Sequence, residues 1–218
     1  MSRIRAHERT TPKSPRSEKP SKNMKLRSPL LIAAVLSLPA ITPVSFAQAP
    51  AAAKPAQGPI VAVLRVQWQG VRDKVINICD IVPEEKLDYK ATPDVRSFRE
   101  LMIHLAGEGY NFLRPLGGVP GVTPPTNAQL ETLKTKAELM KAVRDSYEWQ
   151  AKVIDSLTEA SANEIAPGRS GAPGTMPKWN SIVSLLVDNM DHYGNLVTYV
   201  RINGLVPPTT AARNAAKR

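Results

Sequence analysis

The stretch DNMDHYGNLVTYVRINGLVPP, Asp188 to Pro208, decides how the chain is read. Its apolar residues recur at helical spacing, Gly204 closes the pattern, and Pro207 and Pro208 bar its continuation. The spacing predicts a helix over about Ser181 to Asn203 with a glycine C-cap. At about 100° per residue, Ile182, Leu185, Leu186, Met190, Tyr193, Leu196, Val197 and Val200 fall on one broad apolar face. Asp188, His192, Asn195 and Tyr199 line one edge of it. Asp188 and His192 stand at i and i+4, where side chains on a helix meet. Such a pair is either two half-buried polar residues or part of a ligand set.

A second helix carries a matching stripe. Ser97 followed by Glu100 is a capping box, and FRELMIHLAGEGYNFL then runs to about Leu113. Phe98, Leu101, Met102, Leu105, Phe112 and Leu113 make its apolar face, with His104, Glu108 and Asn111 along the edge. The chain has three histidines, and apart from His7 they are the two on these stripes. Helices that project imidazole and carboxylate inward are how bundles build metal sites. His104, Asp188 and His192 would supply three ligands and leave a position on a divalent ion open for water or substrate.

Two further helices are expected. Val63, Val66, Val71, Val75 and Ile78 mark one from Ile60 to Val82, ended by Pro83. Thr135 with Glu138 caps another, read through KAELMKAVRDSYEWQAKVIDSLTEA, with a short helix in residues 126–134 before it. SANEIAPGRSGAPGTMPKW reads as a long flexible loop, and no strand-like alternation or internal repeat appears. The expected fold class is all-α, an antiparallel four-helix bundle over residues 60–208 with a disordered tail at 209–218.

The formal net charge of +10 misleads. Nine of the 29 basic residues and two of the 19 acidic ones lie in the first 47 positions, which leaves 20 and 17 of mixed sign. That is an ordinary solvated surface and argues against a nucleic-acid partner. From Met24, a positive Lys25/Arg27 region, an apolar run from Leu30 to Val44 and small residues at Ser45 and Ala47 compose a secretory signal peptide over 24–47. An uncleaved anchor is the alternative, against which the run is short and broken by Pro39 and Pro43. Residues 1–23 read as a non-native or disordered leader and 48–59 as an Ala/Pro linker. The expected location is periplasmic or secreted, with no stable membrane insertion after cleavage. Cys79 is the single cysteine and reads as a small buried hydrophobe, so no internal disulfide forms. No phosphate-binding glycine loop, nucleophile elbow or CxxC pair is present.

HYGNLVTYVRINGLVPP resembles the last-helix signature of the DinB family, and KLDYKATPDVRSFRELMIHLAGEGYNFL resembles that family's entry into helix two with its H-[LIV]-A motif. The resemblance covers about residues 60–208 and implies a DinB/YfiT-like four-helix bundle. It further implies a divalent metal (zinc, nickel or manganese) held by His104 on helix two and His192 on the last helix. Asp188 stands where the family usually has a second histidine, so it is either a substituted ligand or the mark of a lost site. Glu108 and Asn195 are candidates to orient a ligand ring from behind. The family includes thiol-dependent transferases and isomerases, and homodimers are plausible by the same resemblance. Two functions follow for an exported member. One is a metal-dependent transferase or hydrolase acting on a small molecule. The other is a non-catalytic helical-bundle binding protein whose metal is structural or lost.

Overall fold

The computed structural model describes residues 58–168 and 172–218, so the readings of the leader, the signal peptide and nearly all of the linker lie outside the described residues. The described chain is all-α. Its helices are α1 (Pro59–Asp80), α2 (Phe98–Leu113), α3 (Asn127–Glu131), α4 (Lys136–Ser156), α5 (Glu159–Asn163), α6 (Lys178–Ile202) and α7 (Pro208–Ala215). The two β-bridges among the described residues are isolated. No described helix is long and apolar enough to cross a membrane.

The four long helices pack in a ring, α1 against α4 and α6, and α2 against the same two. Side chains show their directions. Lys136, at the start of α4, bonds carbonyls at the end of α1, while Arg65 near the start of α1 meets Asp155 at 2.9 Å near the end of α4. These two helices are antiparallel, as are α2 and α6, where Phe98 faces Tyr199 and His104 faces His192. The expectation of antiparallel neighbours does not extend to α2 and α4. Arg99 reaches the Lys134 carbonyl, Ser146 donates to the Ala106 carbonyl, and Tyr110 meets Trp149, so the two run parallel. The connection 114–135, carrying α3, returns the chain along the bundle and makes that direction reachable.

Local chemistry explains the helix starts. The Ser97/Glu100 and Thr135/Glu138 capping boxes form as read, and Thr126/Gln129 and Thr158/Ser161 form two more. The last of these opens α5, so the helix expected to run on through Ala160 ends at Ser156 and a separate short helix crosses into the segment expected to be loop. The tail expected to be disordered contains α7, which Tyr193 Oη meets at Thr209 Oγ1, 3.2 Å away. Pro208 at its first turn starts a helix readily, because its missing N–H would have been unpaired there.

The end of α1 is held by one cation. Lys136 Nζ donates to the Cys79 carbonyl and, at 2.6 Å, to the Val82 carbonyl, satisfying groups that a helix end leaves open. Burial lowers the Lys136 pKa, against the opposing effects of Cys79, Asp80 and Glu84. Lys136→Met is expected to cost about 1.5–3 kcal/mol, the range for bonds to a charged group. Urea denaturation monitored by circular dichroism measures it, and a cost within error of zero contradicts this account of the cap.

Candidate metal centre

An aromatic clasp sets the register that builds the site. Phe98 and Tyr199 meet edge-on with ring centroids 5.5 Å apart, and Tyr89 packs on both, at 6.0 Å from Phe98 and 5.8 Å from Tyr199. With α2 and α6 antiparallel from that anchor, about two turns along each brings His104 opposite His192. The i, i+4 spacing then places Glu108 beside His104 and Asp188 beside His192. One ligand atom from each of these four residues lies within 4.8 Å of the other three.

The geometry is tight. The two imidazole Nε2 atoms are 2.9 Å apart, with the rings edge-to-face at 84°. Glu108 Oε1 lies 2.5 Å from His104 Nε2 and 3.7 Å from His192 Nε2. Asp188 Oδ2 is 3.6 Å from His192 Nε2. His192 is buried at the back, while His104, Glu108 and Asp188 open onto a cleft of about 660 Å³. Gly107 shapes the cleft floor, since a Cβ there would stand 3.2 Å from Asn127 Oδ1 at the start of α3.

The electrostatics are those of a set short of positive charge. Burial opposes ionisation of Glu108, yet hydrogen bonds from His104, His192 and Asp188 outweigh it and hold its carboxyl well below the usual range. Burial, followed by the bond to Glu108 and its charge, pushes Asp188 up to about 6. The bond to Glu108 raises His192, against the opposing effect of its burial. Glu108 Oε2 and Asp188 Oδ2 are buried without a hydrogen-bond donor. Two carboxylates with unpartnered buried oxygens, beside two imidazole nitrogens, fit a divalent cation, and a mixed nitrogen and oxygen set suits zinc, nickel or manganese.

The three residues read from sequence as ligands, His104, Asp188 and His192, are thus brought together. Glu108 was expected behind them but stands among them with an oxygen facing the shared point. Asn195 is exposed on α6 and lies outside the group. Sequence reasoning missed Asn189, which is fully buried on α6 with both side-chain polar atoms unpartnered. The wheel gave no signal for it, because its neighbours Asp188 and Met190 drew the apparent edge.

The DinB family model matches residues 61–217, and the chain belongs to the DinB family. Comparison with curated proteins gives no match.

The titrations give a testable sign. Asp188 has a folded pKa raised above its unfolded value near 3.8, so its protonated form is favoured in the metal-free fold. Its contribution is present below pH ~4 and is lost as pH rises through about 6. At neutral pH the ionised Asp188 faces Glu108 as a like charge. Asp188→Asn is therefore expected to stabilise the metal-free protein at pH 7.5 by roughly 1 kcal/mol, reduced from the full shift because a third of the side chain is in water. The same variant is expected to weaken metal binding. Thermal melts with and without chelator check both signs, and destabilisation of the metal-free form contradicts the first.

Proposed function

We propose that this is an exported DinB-family protein that binds one divalent metal ion through His104, Asp188 and His192, with Glu108 as a fourth donor, and acts as a metal-dependent transferase or hydrolase on a small molecule. The observation that carries the reading is the convergence of four donor atoms from α2 and α6 on one point at the back of a cleft. Export rests on the charged, apolar and small-residue order of residues 24–47. When bound, such an ion supplies Lewis-acid activation of water or of a thiol. The chain's own residues do the rest. His192 anchors the deep side of the site. His104, Glu108 and Asp188 face the cleft, where substrate would meet the ion.

A second reading is a binding bundle without catalysis. It is favoured by the direct 2.9 Å approach of the two imidazoles, which pairs both Nε2 atoms and Glu108 Oε1 with one another without an ion. Turnover separates the two. Purified protein loaded in turn with zinc, nickel and manganese is assayed on activated esters, on amides and on thiol-transfer substrates. Turnover that chelator removes and metal restores supports the enzyme. Stoichiometric metal without turnover of any of these supports the binder.

A further inference from the structure

We propose that the cleft in front of the four-residue group takes a small organic anion, and that Arg96 is the specificity-determining residue that receives its carboxylate or phosphate. This rests on the reading of the group as a metal centre and names the substrate class for it.

Arg96 lines the same cleft as His104, Glu108 and Asp188. It immediately precedes the Ser97 cap of α2, where Ser97 N donates to Glu100 Oε2 at 2.6 Å and Glu100 N donates to Ser97 Oγ at 3.2 Å. Its backbone is thereby tethered to the rigid end of the helix that carries His104. The cleft holds one other formal cation, Lys90, and that one is committed to Glu100 at 2.9 Å. Arg96 is exposed and has no ion pair or hydrogen bond among the described residues.

The carboxylates around it do not cancel this charge at the site. Glu100 is taken up by Lys90 and the Ser97 amide. Glu108 and Asp188 face the shared point, and two negative charges there balance a divalent ion. Asp94 and Glu131 are exposed. A guanidinium presents a planar fork of donors that matches carboxylate and phosphate oxygens. Partly buried Val95, Ile103 and Phe112 give the cleft apolar wall, and Asn111 adds an amide. A molecule with a short apolar body and one anionic end fits both.

The test uses the full chain, metal-loaded and chelator-treated, with metal content measured in each sample. Benzoate, phenyl phosphate, benzamide and benzylammonium are titrated by calorimetry into the wild type, Arg96→Gln and Arg96→Lys. The anions are expected to bind the wild type at least about ten-fold tighter than benzamide, as for a charge-assisted contact. Arg96→Gln is expected to remove that preference with metal content and melting temperature unchanged, and Arg96→Lys to retain part of it. Benzylammonium binding tighter than benzoate overturns the proposal, because the acidic rim then governs. A preference unaltered in Arg96→Gln also overturns it, since the ion or another group then reads the anion. So does failure of every probe to bind. If the wild type holds no metal yet loses its anion preference in Arg96→Gln, the metal reading fails and the role of Arg96 stands.

Discussion

Replacing Gly109 by alanine is expected to destabilise the protein by about 3–5 kcal/mol, although alanine is the better helix former. Gly109 lies on the buried side of α2, where the parallel neighbour α4 comes closest. A Cβ there would stand 2.0 Å from Gln150 Nε2, 2.6 Å from Ser146 Oγ and 2.8 Å from Gln150 Cδ. Gln150 is fully buried and cannot swing into water. It accepts from Trp68 Nε1 at 2.8 Å and donates to Ser146 Oγ at 3.2 Å, and Ser146 in turn donates to the Ala106 carbonyl at 2.7 Å. Relieving the clash means moving Gln150, which strands the Trp68 indole and the Gln150 amide in the core. Overpacking at ~1–3 kcal/mol and orphaned buried donors at ~1–3 kcal/mol each compose the estimate. Gly70, exposed on α1 with nothing within 4 Å of its built Cβ, is the control. Gly70→Ala is expected to stabilise by about 0.5–1 kcal/mol. Urea titrations of both variants check the pair, and equal effects contradict the account of the Gln150 network.

The second large effect is on the metal. His192→Ala is expected to lower divalent-metal affinity by more than about 100-fold, beyond the ~10–100-fold typical of a group that only supports a ligand. The residue is buried at the back of the site, so water cannot easily take the place of its imidazole. His104→Ala is expected to fall in the same class with a smaller loss, because His104 faces the cleft and water can substitute there. Asn195→Ala, on an exposed position outside the group, is expected to leave affinity unchanged. Affinity is expected to fall with pH below about 6, where Asp188 takes up a proton and a ligand is lost. Competition titration against a chromophoric chelator at several pH values measures all four statements. A His192→Ala affinity within a few-fold of the wild type contradicts the assignment.

Much of this was legible because the signals are local. The boxes at Ser97/Glu100 and Thr135/Glu138 need only four residues each, and both helices start there. The i, i+4 pairs His104/Glu108 and Asp188/His192 are legible because each lies along the edge of a continuous apolar face. Other features depend on partners that are distant in sequence. Val63 and Val66 belong to the apolar spacing that marks α1, yet they are 59% and 63% exposed. The buried face is instead Val61, Leu64, Trp68, Val71, Val75 and Ile78, centred on a tryptophan whose indole is held by Gln150 from α4. Burying Leu64 and Trp68, which are larger than the valines, sets the face at the start of α1, and the two readings share Val71, Val75 and Ile78. Met190 was likewise read as core and is at the surface. The parallel course of α2 and α4 had no local sign at all, since it depends on where the 114–135 connection returns. Glu108 was undervalued because the sequence does not show which carboxylate oxygen faces the neighbouring helix.

The most direct test of the central claim is the metal content of the purified protein. It is produced without an affinity tag or chelator and measured by elemental analysis beside the His104→Ala/His192→Ala double variant. The account predicts about one divalent ion per wild-type chain and none in the double variant, with both proteins folded by circular dichroism. A wild-type protein that stays metal-free after incubation with zinc, nickel and manganese would contradict it. Asp188 would then mark a site that has lost its ion, and the protein would be a binding bundle.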